Sequence, residues 1–188
     1  DIKILFIHRS RKTLGKCKMK ESMKTAYMSV AEIFAEQSYA VRAKVGCIIV
    51  KDNRIISIGY NGMPSGWDNE CENTETLNDV PHMREEYTKR GYVMHSSADS
   101  VIWKKLTSKP EVLHAEANAI AKLAQCNESS KGAELFCTHL PCIECAKLIH
   151  QAGITKVYYK EDYNAAKGKG REFLENSKID IEQILTNS

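Results

Sequence analysis

Residues 45–60 read VGCIIVKDNRIISIGY. The β-branched run at 45–50 predicts a buried strand, Asp52-Asn53 a two-residue turn, and 55–60 the returning antiparallel partner. Upstream, Tyr27, Val30, Ala31, Phe34 and Ala35 recur at helical spacing and predict an amphipathic helix over 23–38. Downstream, Asn61-Gly62-Met63-Pro64-Ser65-Gly66 is dense in turn formers and extends neither strand. Residues 67–110 read as polar and irregular, with one short helix near 83–90. Regular patterning resumes at His114, where Ala115, Ala119, Ile120, Leu123 and Ala124 mark a helix. A strand is expected over 134–138, and a helix from Pro141 to the stop at Gly153. A strand over 156–160, a helix over 165–176 and an edge strand over 179–185 complete the pattern. A hairpin followed by alternating helices and strands predicts an α/β fold, a mixed sheet of about five strands between helices.

The bulk properties narrow the class. The 188 residues have room for one domain, expected over 19–188. Residues 1–18 read as a basic leader or extension. Their apolar part precedes their basic part, the reverse of a secretory signal. No apolar run is long enough to span a bilayer. Seven cysteines are an odd number, and two of them form a CxxC. Reduced thiols and a cytoplasmic location are therefore expected. A net charge of +3 favours an anionic ligand slightly and a nucleic-acid partner hardly at all.

Two short words carry the chemistry: His114-Ala115-Glu116 and Pro141-Cys142-Ile143-Glu144-Cys145. His114, Cys142 and Cys145 offer one imidazole and two thiolates, the three ligands of a catalytic zinc that keeps its fourth position for water. Both sets fall at expected helix starts, where free N–H groups and the positive dipole end favour thiolates. Pro141 suits a helix entry, having no N–H to leave unpaired. Glu116, two residues from His114, is placed to move protons without ligating the metal. The spacing is that of zinc-dependent base deaminases, which points to hydrolytic removal of an amino group from a nucleobase. A structural four-ligand site is the bland alternative, and His139 is its nearest further donor.

At these residues the chain resembles the cytidine-deaminase superfamily, and within it the deoxycytidylate deaminases. The resemblance extends from Tyr27 onward, through Lys44-Val45-Gly46, Gly59-Tyr60-Asn61-Gly62-Met63-Pro64, His114 to Ile120, Pro141 to Ile149, and Gln151-Ala152-Gly153-Ile154. It implies a three-layer α/β/α cytidine-deaminase-like fold and conversion of dCMP to dUMP. Glu116 would shuttle protons to the ring N3 and the departing amine, the Ala115 amide would hold the base carbonyl, and Asn61 would contact the sugar. For the phosphate, Arg42 and Lys44 before the first strand and Tyr163 after a later one are the candidate donors. The resemblance further implies that the loop of Gly62, Met63, Pro64 and Gly66 binds regulatory triphosphates as Mg²⁺ complexes. There dCTP would activate and dTTP would inhibit, within a homohexamer.

Some relatives carry a second, structural zinc, for which Cys71, His82 and His95 are the candidates here, with Cys17 a further one. Cys47, Cys137, Cys126 and His150 read as structural, and the roles of Trp67 and Trp103 stay open. The rival enzyme is a base deaminase on tRNA or single-stranded nucleic acid, which needs a basic track that the sequence outside residues 1–18 does not show. The rival of another class is a zinc-stabilised interaction module, which has no use for Glu116.

Overall fold

The computed structural model describes residues 19–97, 100–162 and 169–185. It opens with helix α1 (Glu21–Ala35), then strands β1 (Gly46–Lys51) and β2 (Arg54–Tyr60). Asp52 and Asn53 both take positive φ, 50° and 58°, in the two-residue turn between them. That is the turn whose twist matches antiparallel strands. Strand β3 (Glu72–Asn78), a 3-10 turn (Pro81–Met83), helix α2 (Arg84–Lys89) and strands β4 (Val93–Ser96) and β5 (Val101–Ser108) follow. The rest alternates: α3 (Ala115–Leu123), β6 (Glu134–His139), α4 (Ile143–Gln151), β7 (Lys156–Glu161), α5 (Gly170–Asn176) and β8 (Asp180–Gln183).

The main sheet has the order β2-β1-β6-β7-β8. β1 runs antiparallel to β2 and β6, while β6–β7 and β7–β8 are parallel, so the sheet is mixed. Side chains alternate across it as the period of two demands. Cys47, Ile49, Leu135, Cys137 and Val157 face a core shared with α3, α4 and α5. Ile48, Val50, Phe136 and Tyr158 face the opposite core, under Tyr27, Met28 and Ala31 of α1. Phe136 and Tyr158 stack there with centroids 4.4 Å apart. This is the expected α/β/α sandwich. Near-continuous apolar runs in β1, β6 and β7 are the consequence of burial on both faces.

Residues 67–110 are not irregular, and that expectation is corrected. A second sheet of order β3-β5-β4 fills much of the segment. β3 is polar and the apolar residues of β4 and β5 do not alternate, so no period of two announces them. Tyr87, Tyr92 and Trp103 form a small core under it. Trp103 Nε1 donates to Asp79 at 2.8 Å, and Arg84 grips the same carboxylate through two nitrogens at 2.9 and 2.6 Å. Other boundaries shift by a few residues, and the helix expected over 165–176 is described only from Gly170. Among the described residues no helix is long and apolar enough to cross a membrane.

Candidate active site

Helix α3 is fixed to the hairpin with little freedom. A Cβ at Gly59 would run into the Ala115 carbonyl oxygen and the Ala119 amide nitrogen, so glycine permits the close approach of helix and strand. Ser57 Oγ donates to the Ala119 carbonyl at 2.6 Å, and Asn118 Nδ2 to the Tyr60 carbonyl at 2.8 Å. The helix start is thereby held at the end of the sheet. His114 is its N-cap, in extended conformation, and Glu116 lies in its first turn. Cys142 caps α4 in the same way, with Cys145 in the first turn. Two strand-to-helix junctions thus bring the two sequence words together.

His114, Cys142 and Cys145 place their nitrogen and sulfur donor atoms within 4.8 Å of one another. His114 Nδ1 is 3.6 Å from the Cys142 sulfur and 3.4 Å from that of Cys145. Among the described residues this is the one group of three metal-binding side chains, and His139 is not part of it. The donor set fits zinc: one nitrogen and two sulfurs, gathered from two helix N-termini, with no fourth donor grouped with them among the described residues. Hydrogen bonding from Cys145, helped by His114, pulls the Cys142 thiol down to about 3. Cys145 is pushed up by that same bond and by burial. The shared bond thus favours a thiolate on one sulfur and a thiol on the other.

Glu116 is 4% exposed. Burial raises its pKa above the ordinary carboxylate value. A buried acid that retains a proton more readily than usual suits proton transfer in both directions.

His114, Cys142, Ala115 and Glu116 line a cavity of about 450 Å³ that also includes Asn61, Arg42 and His139. Asn61 spends part of its amide on the backbone: Oδ1 accepts from the Val45 amide at 2.8 Å and Nδ2 donates to the Ala43 carbonyl at 2.9 Å. One Nδ2 hydrogen and one Oδ1 lone pair remain beyond these bonds. Burial lowers the His139 pKa and favours its neutral form. Lys44 does not line the cavity; its Nζ lies 3.4 Å from Glu36. Tyr163 lies outside the described residues.

In place of Lys44, the cavity acquires residues that sequence reasoning passed over. Glu72, Ser108 and Lys109 come from the ends of β3 and β5 and line it beside Arg42. Arg42 Nη1 donates to Ser108 Oγ at 3.1 Å. The only signal for them is a strand register, invisible in polar sequence.

The loop after β2 is tied to the start of α3. The Gly62 amide donates to the Leu113 carbonyl at 3.1 Å, and the Leu113 amide to the Gly62 carbonyl at 2.9 Å. Met63 and Gly66 line a shallow second pocket with Trp67, Asp68, Lys109 and Glu111, and Pro64 accepts from the Trp67 amide at 3.1 Å. The second-metal candidates are not gathered. Cys71 is buried, His82 and His95 are exposed, and among the described residues no group of three donors includes them. Cys17 lies outside the described residues.

Residues 21–161 match the family described as the cytidine and deoxycytidylate deaminase zinc-binding region. The chain is 36% identical to the deoxycytidylate deaminase of Enterobacteria phage T4 over 166 residues, 82% of this chain and 86% of that protein. To the Homo sapiens deoxycytidylate deaminase it is 34% identical over 137 residues, 72% of this chain and 63% of that one. A crystal structure of the dCMP deaminase of cyanophage S-TIM5, in complex with dCMP and dUMP, matches with a TM-score of 0.67 and 37% identity. That match covers 88% of this chain and 98% of the phage protein.

Proposed function

The chain belongs to the cytidine and deoxycytidylate deaminase family, and from that membership we propose that it hydrolyses dCMP to dUMP and ammonia. The observation that carries this reading is a cluster of three metal donors, two of which, His114 and Cys142, line one cavity with the buried Glu116 carboxylate and Arg42. His114, Cys142 and Cys145 would hold zinc, which supplies a water acidic enough to ionise near neutral pH. Glu116 takes the proton of the attacking water and passes it to N3 of the cytosine. It then takes the second proton from the hydroxyl added at C4 and delivers it to the leaving amine, so that ammonia departs and the water's oxygen stays as the C4 carbonyl. The Ala115 amide belongs to the first turn of α3, where N–H groups have no partner within the helix, and it holds the base carbonyl. Asn61 uses its remaining donor and acceptor on the sugar. Arg42, fixed through its bond to Ser108, takes the phosphate.

Regulation belongs to the same proposal. The loop of Gly62, Met63, Pro64 and Gly66 would take Mg²⁺ complexes of dCTP as activator and dTTP as inhibitor, in a homohexamer. Its backbone bonds to Leu113, next to His114, support a path from that loop to the metal site. A cytoplasmic location agrees with the six free cysteines among the described residues. Turnover of dCMP, deoxycytidine, CMP and an oligonucleotide, with and without dCTP or dTTP, tests the substrate and the regulation. Fast dCMP turnover that responds to the triphosphates is expected. Preference for the oligonucleotide would overturn the substrate assignment, and rates indifferent to both triphosphates would remove the regulation.

A further inference from the structure

The polar sheet that the sequence conceals closes one side of the cavity. Glu72, at the start of β3, lies directly opposite Ser108, at the end of β5. Both grip the segment before β1. Glu72 Oε1 accepts from the amides of Val41 and Arg42 at 3.1 and 3.2 Å, and Ser108 Oγ accepts from the Arg42 guanidinium at 3.1 Å. Arg42 and Lys109 are the lysine and arginine side chains that line the cavity among the described residues. Each has a carboxylate for company: Glu72 bonds the Arg42 backbone, and Glu70 Oε2 lies 3.5 Å from Lys109 Nζ.

We propose that Glu72 sets the length of the phosphate chain that the cavity accepts, by fixing a negative charge beside the cations that receive the first phosphate. The inference rests on the reading of the cavity as a deoxycytidine nucleotide site. A monophosphate brings up to two negative charges, which Arg42 and Lys109 match. A second phosphate adds charge with no lining Arg or Lys left for it among the described residues, and it meets the Glu72 carboxylate. Like charges within several ångströms repel by an amount worth about a factor of ten in affinity at the edge of a protein. Selectivity of this kind needs a repulsive element against the wrong ligand as well as attraction to the right one. Because one carboxylate oxygen is committed to two backbone amides, the charge cannot swing aside when the longer chain arrives.

The test compares kcat/KM for dCDP and dCMP in the zinc-loaded wild-type protein, Glu72→Gln and Glu72→Asp, without added magnesium. The diphosphate is chosen because it is not one of the regulators proposed above. Glutamine keeps an oxygen for the Val41 and Arg42 amides and loses the charge, so the dCDP-to-dCMP ratio should rise about tenfold. Aspartate keeps the charge, and its ratio should stay within about twofold of wild type. An unchanged ratio in Glu72→Gln overturns the inference and leaves Glu72 a clamp for the loop. Titration calorimetry of the two nucleotides reads the same ratio as binding, so a protein that binds dCMP without turning it over would sink only the deaminase reading. Failure to bind dCMP at all would sink both. Should Glu72→Gln not fold, Glu72→Asn set against Glu72→Asp removes the charge at constant side-chain length. Its ratio should exceed that of Glu72→Asp by about tenfold, and equal ratios would count against the inference.

Discussion

Gly170 rests against the carbonyl oxygen of Pro141, so closely that a Cβ at 170 would run into it. Pro141 immediately precedes the thiol of Cys142, so α5 braces the metal site from behind. Gly170→Ala should push the Pro141–Cys142 segment out of place at a stability cost of about 1–3 kcal/mol, typical of overpacking. Its zinc should leave more readily, by about tenfold or more in affinity, the usual effect of disturbing what supports a ligand. Zinc per chain after dialysis against graded chelator checks this, and wild-type retention would show that the brace does not matter.

Glu116→Gln separates chemistry from metal binding. The variant should keep its zinc and lose about two to four orders of magnitude in turnover, the usual contribution of a positioned acid–base group. Metal analysis and a dCMP assay on one preparation suffice. A variant that keeps most of its activity would remove Glu116 from the mechanism, and a variant without zinc would make it structural.

Arg42 and Lys44 should behave differently. Arg42→Ala should raise KM for dCMP by about tenfold or more, the loss of a charge-assisted bond, and should change deoxycytidine turnover far less. Lys44→Ala should leave both nearly unchanged, because Lys44 faces Glu36 outside the cavity. Equal losses on both substrates in Arg42→Ala would take the phosphate away from it.

An ion cluster around the buried Lys24 predicts how stability depends on pH. Lys24 is 2% exposed and pairs with Glu21 and Glu182, and Lys156 also bonds Glu182 at 2.7 Å. Burial alone would raise the pKa of Glu182, but the hydrogen bonds from Lys156 and Lys24 outweigh it and the net shift is downward. A carboxylate with a folded-state pKa below its unfolded value adds stability that is present above the unfolded value. That contribution is lost as pH falls through the folded value. Glu182→Gln should therefore be destabilised near pH 7 by about 1–2 kcal/mol, allowing for partial exposure and for the pair kept with Glu21. The gap from wild type should close in acid, below the ordinary carboxylate range. Denaturant melts at several pH values read it, and a gap that persists in strong acid would contradict the electrostatic origin.

Sequence legibility followed burial. Val45 to Tyr60 and the strands at Leu135 and Val157 announced themselves because they are apolar on one or both faces. The zinc words were legible because ligand chemistry restricts residue type and because both sit at helix starts. β3 was not legible: Glu72 to Asn78 is polar and mostly exposed, and its pairing to β5 is a matter of backbone bonds. With β3 and β5 hidden, Glu72, Ser108 and Lys109 were hidden too. Lys44 could not be told from Arg42 in the sequence: both precede β1, yet Arg42 lines the cavity while the Lys44 amine lies 3.4 Å from Glu36. The bracing by Gly59 and Gly170 is a property of backbone approach, which no side-chain pattern reports.

Turnover of dCMP by the zinc-loaded protein in ¹⁸O-labelled water bears most directly on the whole reading, because it follows the oxygen that replaces the amine. Release of ammonia with one labelled oxygen at C4 of each dUMP formed is the predicted result. Intact dCMP, or dUMP without the label, would contradict a water activated between His114, Cys142, Cys145 and Glu116.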